Sequence, residues 1–227
     1  MQNKNTIMIK NISIEKLSSW CFLLGAIFSF VPFLVQLLMS NAPNENSHVF
    51  TFFANQIILN GKVSLLNALL SILGAALIGY GVFSLNGILQ KKSNDSLLNF
   101  ATYLFVISTI GFIFSWSQDF IIVWGDVKYA TNHMMVEFSL IFSFGLFYWL
   151  GISIFTYQLS IAKFIHENFL KSVSCIGIIN VLLIIYTLFT FDPYNGATIT
   201  PLYMGFVFGN FLFLAFCLLA GKKLLMD

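Results

Sequence analysis

From Leu17 to Met39 the chain runs without one charged side chain, and five more long apolar segments follow it. At 1.5 Å per residue the first run reaches about 34 Å, enough to cross a hydrocarbon core of about 30 Å. Backbone in hydrocarbon finds no water, so such a segment must satisfy its own N–H and C=O groups as a helix. One architecture fits: an all-α, polytopic integral membrane protein, a six-helix transmembrane bundle. Spans are expected at about 17–39, 63–88, 97–116, 134–157, 170–191 and 201–220. They lie between an N-terminal segment, 1–16, and a tail, 221–227.

Composition points the same way. Of 227 residues 58% are hydrophobic and 9% charged, where a soluble domain carries about 25% charged residues. The net charge of +2 is too small to argue for nucleic acid, so the expected surroundings are the lipid bilayer. The basic side chains apart from histidine are all Lys, which removes bidentate Arg clamps from consideration. Cys21, Cys175 and Cys217 each sit in an apolar run without CxxC spacing, giving neither a disulfide framework nor a metal pattern.

Ser40-Asn41-Ala42 imitates a signal-peptide cleavage site, but the preceding run is longer than the roughly 7–15 residues of an h-region, and Pro43 would follow the cut. It reads as a retained first span, bent or adjusted at Pro32. In the connection from Ser40 to Lys62, VFTFFANQIIL is apolar yet too short to span. It is expected to lie in the interface or fold back over the mouth of the bundle. Asn67, Ser71, Ala75 and Gly79 recur every four residues, a small, weakly polar stripe on one helix face. Such a stripe suits a packing seam, with a pore lining as the alternative. Asn180 and Asn210 lie at similar depths in consecutive antiparallel spans and are expected to hydrogen-bond to each other.

Nine of the eleven lysines fall on one side: Lys4, Lys10, Lys16, Lys91, Lys92, Lys163, Lys171, Lys222 and Lys223, leaving Lys62 and Lys128 opposite. The positive-inside rule puts both termini in the cytoplasm, here of a prokaryotic cell with the protein in its plasma membrane. Glu45, His48, Asp119, Asp126, His133, Glu137 and Asp192 then face outward.

The most polar stretch is Trp116 to Glu137, WSQDFIIVWGDVKYATNHMMVE. His133 and Glu137 are four apart on one helix face, and Asp119 ends an antiparallel neighbour, so the three can reach one level. With an outer His48 they make an acceptable divalent-metal set, able in principle to activate water at the membrane surface. Asp119, Trp124, Asp126, His133 and Glu137 equally suit recognition of a small ligand or of a partner subunit. An ordinary structural account also fits. In it Thr131 or Asn132 caps the fourth span, Glu137 meets the positive end of its dipole, Lys128 neutralises one acid, and Trp116, Trp124 and Tyr129 form an aromatic belt. HExxH, phosphate-loop, Ser/His/Asp and paired-haem-histidine patterns are missing. The central parts of the spans, so bounded, hold no Asp, Glu, Lys, Arg or His, which argues against a charge relay. Two halves related as an inverted repeat are not visible.

The segment NQIILNGKVSLLNALLSILGAALIGYGVFSL, the turn LQKKSNDSLLNFATYL and the succession of spans around them resemble a family of uncharacterised six-span prokaryotic membrane proteins, a domain of unknown function. That likeness implies six helices and no established activity or site residue. The expectation is a non-enzymatic membrane protein whose outer polar cap binds a small ligand or a partner subunit, including a second copy of itself. The alternatives are a metal-dependent enzyme at the outer leaflet and a passive transporter of a small neutral or apolar solute. No cofactor is expected beyond the divalent metal.

Overall fold

The computed structural model describes residues 12–39, 43 and 47–226; Lys4, Lys10, Ser40-Asn41-Ala42 and Glu45 lie outside the described residues. Among the described residues every regular element is helical. They are α1 (Ile14–Met39), α2 (Val49–Asn60), α3 (Lys62–Gln90), α4 (Ser96–Trp116), α5 (Gln118–Trp124), α6 (Val127–Ile161), α7 (Glu167–Thr190) and α8 (Thr200–Met226), with a 3-10 turn (Gly196–Ile199) before α8. Six segments are long and apolar enough to cross a membrane: α1, α3, α4 with α5, α6, α7, and α8 with its preceding turn. The chain is a multi-pass membrane protein.

Each spanning helix packs against the next one in the chain, and α8 closes on α1, so the six form a ring of antiparallel neighbours. Lipid-facing positions carry large apolar side chains such as Leu182, Phe189 and Phe208, as bundles in hydrocarbon do. The ring is held by small residues where helices cross. Gly25 of α1 faces Gly74 and Ile78 of α3, close enough that a Cβ on Gly74 would come within 2.8 Å of the Ser29 backbone nitrogen. This is the seam between α1 and α3, and it lies on a different face from the Asn67–Gly79 stripe. Asn67, Ser71 and Ala75 turn toward the centre of the ring, while Gly79 packs against Thr109 of α4. One end of the ring is filled by Phe22, Leu85, Leu98, Phe155, Leu159 and Phe216. That end carries Lys91, Lys92 and Lys163 in its connections.

The other end is capped. Here α2 and α5 pack onto α6 around Ala54, Ile122, Ala130 and Met134, with Phe53, Ile57 and Phe138 beside them. The short apolar helix therefore folds back over the mouth. His48 starts it by accepting a hydrogen bond from Thr51 N on Nδ1 (3.4 Å), and Val49 N donates to Pro193 O (2.8 Å), tying α2 to the turn before α8. In that turn Asp192 and Asn195 accept from the backbone two residues on, at 2.9 and 3.1 Å, as DPYNG suggests.

Three helix boundaries differ from the sequence expectation by six residues or more, the first being that α8 does not stop at Ala220 but runs on through Gly221-Lys222-Lys223 to Met226, so most of the expected tail is helix. The third span does not end at Trp116: after Ser117 it continues through Trp124. Side-chain hydrogen bonds to carbonyls at the joint, from Ser117 Oγ (2.7 Å) and Gln118 Nε2 (3.3 Å) to Phe114 O, disturb the ladder without stopping it. The fourth helix starts at Val127, not near Met134, because Asp126 rather than Thr131 or Asn132 is its N-cap, accepting from Lys128 N at 3.1 Å. At 35 residues α6 is about 52 Å long, well beyond a hydrocarbon core of about 30 Å.

Gly61, the one residue between α2 and α3, has φ 44° and ψ −107°, a region an L side chain enters at a cost. A Cβ there would meet only Ile58 O, at 3.6 Å, so space is not the obstacle. Gly61→Ala is expected to lower stability by about 1 kcal/mol, read as a lower thermal midpoint in detergent. An unchanged midpoint would mean the joint is not fixed in this conformation.

Candidate functional site

At the capped end the centre of the ring is a cavity of about 370 Å³, within the usual range for small-molecule sites of about 300–1,000 Å³. Its walls come from every spanning helix except α7, with Phe53, Gln56, Ile57 and Asn60 of α2 added at the cap. Asn67 and Ser71 of α3, Thr109 of α4 and Asn210 of α8 supply scattered polar groups. Toward the filled end the floor is aromatic. Phe105 stacks on Tyr148 with ring centres 5.1 Å apart, Tyr148 meets Phe112 at 5.0 Å and Phe213 at 5.6 Å, and Trp149 meets Phe206 at 5.7 Å.

Asp119 and Glu137 line this cavity, 4% and 7% exposed. The chain brings them together by simple geometry. Ser115 and Glu137 are equally far along the sequence from the Asp126 cap, and Ser115 Oγ donates to Glu137 O at 3.2 Å, so the two stand level on α4 and α6. Asp119 is one helical turn nearer the capped end. Side chains lean toward the N-terminus of their own helix. Glu137 therefore leans up toward the cap and Asp119 leans down, because α5 and α6 run in opposite directions. Their carboxyl groups end within hydrogen-bonding reach of each other. A hydrogen bond between two carboxyls needs a proton on one of them, and without it two negative charges would face each other in a buried site. Beyond that mutual bond, buried Asp119 Oδ1 and Glu137 Oε2 have no hydrogen-bond partner among the described residues. Each such oxygen costs about 1–3 kcal/mol or more when left unmade, so neither is placed there for stability.

The other residues singled out from the sequence lie elsewhere. His133 is on α6 one turn above Glu137, but its Nδ1 pairs with Gln118 Oε1 at 3.1 Å, and it is not among the cavity-lining residues. His48 is committed to the start of α2, with Nδ1 3.0 Å from Thr51 Oγ1 and its ring against Phe50 and Tyr194. Asp126 is the α6 cap and pairs with Lys128 at 3.1 Å on the surface. Trp124 is 73% exposed, its ring stacked on Phe120. The metal set Asp119, His133, Glu137 and His48 is thus not assembled. Among the described residues no group of three or more His, Cys, Asp or Glu side chains could hold a metal ion. The cause is the extra helix on either side of Gly125-Asp126: it sinks the two acids into the bundle and leaves the histidines to cap and brace the helices above.

Of the small and amide side chains singled out within the spans, Asn67, Ser71, Ala75 and Asn210 line the cavity, while Gly79 and Asn180 do not. Asn180 is wholly buried against Gly205 and Gly209 of α8, with neither Nδ2 nor Oδ1 hydrogen-bonded. The expected bond to Asn210 does not form. Asn210 follows Gly209 by about 100° around α8, which turns it from α7 into the cavity. Gln56 and Asn60 of α2 also line the site, and no local signal marks them, because their role depends on α2 folding back. No family model, no curated protein and no solved structure matches the chain.

Proposed function

We propose that this protein binds a small, mainly apolar molecule in the cavity at the capped end of its bundle. The protein lies in the plasma membrane of a prokaryotic cell, with the capped end outward and both termini in the cytoplasm. The lysine distribution supports that orientation: Lys16, Lys91, Lys92, Lys163, Lys171, Lys222 and Lys223 mark one end, against Lys62 and Lys128 at the other. Binding in the cavity rests on one observation. A space of about 370 Å³ is lined mainly by apolar and aromatic side chains, with scattered amides and hydroxyls and two buried carboxyl groups that each have an oxygen without a partner among the described residues. Few convergent polar groups in an apolar pocket are the usual composition of a ligand site.

The reading is tested by filling the space. Ala75 lines the cavity from α3, so Ala75→Phe occupies it while leaving both acids unsubstituted. Native mass spectrometry of protein purified in mild detergent is expected to show a small-molecule adduct on the wild type and none on Ala75→Phe. If no adduct is found, and no compound from a library of small amphiphiles raises the wild-type thermal midpoint more than that of Ala75→Phe, the proposal fails.

A further inference from the structure

Resting on that reading, we infer that the ligand is an organic ammonium: one positive charge on an apolar or aromatic body, held by Asp119 and Glu137. With one proton between them the two carboxyls carry one net negative charge, which a single ammonium balances. Among the described residues no Lys, Arg or His lines the cavity to balance it from within. The basic groups near the cap are engaged or outside it: Lys128 with Asp126, His133 with Gln118, His48 at the start of α2, and Lys62 exposed at the start of α3.

An anion would meet two acids and no counter-charge. A neutral molecule gives the ionised form of the pair no counter-charge, and burial without one favours the protonated form. A bare metal ion needs more ligands than two carboxylates, usually four to eight N, S or O atoms, and among the described residues no third His, Cys, Asp or Glu joins them. The walls suit the body of an organic cation instead. Phe112, Trp116, Phe138 and Tyr148 surround the same space, and aromatic faces attract a desolvated cation through their quadrupoles.

The probes are benzylammonium, whose N–H groups can donate to the free carboxyl oxygens, its neutral carbon isostere ethylbenzene, and benzenesulfonate. Binding is read from the fluorescence of Trp116 and Trp149, both cavity-lining, with the full chain in nanodiscs of phosphatidylglycerol alone. The cation is expected to bind at least about tenfold more tightly than the neutral isostere, and the sulfonate not to bind. Either amide alone leaves one carboxylate in place, so the charge is removed by the double variant Asp119→Asn/Glu137→Gln. It should weaken the cation by about tenfold or more and leave the neutral probe unchanged, which also shows that the variant is folded.

Equal affinity for cation and neutral probe, unmoved by the double variant, overturns the ammonium inference and leaves cavity binding standing; preference for the sulfonate does the same. Failure of every probe overturns both. Should the double variant not fold, Ser71→Lys places an ammonium in the cavity from α3 and is expected to abolish cation binding; retention would overturn the inference. Adding phosphatidylethanolamine to the nanodiscs separates the two natural sources. Competition with the probe assigns the ammonium to a lipid headgroup, and no competition assigns it to a free amine, the charge inference holding in both cases.

Discussion

Gly74→Leu is expected to prevent recovery of the folded protein, whereas Gly87→Leu in the same helix is expected to be tolerated. Both substitutions put the same apolar side chain on α3, and both remove a helix-weakening glycine. They differ in what a Cβ meets. At Gly74 it would come within 2.8 Å of Ser29 N and 3.1 Å of Gly25 O, backbone atoms of α1 that no rotamer change can move. At Gly87 nothing lies within 4 Å. Overpacking usually costs about 1–3 kcal/mol, and here the whole helix must shift, so the cost should reach or pass the top of that range. Against a total stability of about 5–15 kcal/mol, and with the closure of the ring resting partly on α1, that is a severe loss. The measurement is the monodisperse fraction in detergent and its thermal midpoint for the two variants side by side. If Gly74→Leu behaves like Gly87→Leu, α1 and α3 do not cross at these glycines.

The contrast shows what the sequence makes legible. The existence of six helices follows from apolar length alone, since lipid leaves no other backbone solution, and α1, α3 and α7 fall within a few residues of the expected limits. Which face of a helix does what is harder to read. The regular Asn67, Ser71, Ala75, Gly79 spacing suits a seam, yet the seam uses Gly74 and Gly25, and most of the stripe faces open space. Small residues satisfy both roles, so spacing cannot choose between them. The polar stretch shows the opposite difficulty. Between Trp116 and Glu137 the density of charge resembles a loop, but the only break between α5 and α6 is Gly125-Asp126. Asp126, Lys128 and His133 are ordinary polar residues on helices at the rim. Asp119 and Glu137 are exceptional for one reason, burial, which is set by the antiparallel pairing of α5 with α6 and the roof supplied by α2. That Asp119 and Glu137 can meet is visible from their positions on either side of a turn. That they meet inside the bundle is not.

Replacing both acids with leucine is expected to raise the thermal midpoint and to abolish binding. Asp119→Leu/Glu137→Leu removes two carboxyl oxygens unpartnered among the described residues and the enforced approach of two buried acids, and the adjoining cavity leaves room for the new methyl groups. If the two relieved penalties together amount to about 2 kcal/mol, the midpoint should rise by about 4–8 °C for a chain of this size. Each single substitution should behave differently. Glu137→Leu alone leaves Asp119 buried without the one group it hydrogen-bonds to, and Asp119→Leu strands Glu137 in the same way, so both singles should be less stable than the wild type. The expected order is therefore double variant, wild type, single variants, a non-additivity characteristic of groups in direct contact. A double variant destabilised by the sum of the two singles would mean that the acids are structural and that their free oxygens are satisfied in the working protein. The predicted order would instead mean that the chain keeps, at a cost to its own stability, a pair of carboxyls that only a ligand can complete.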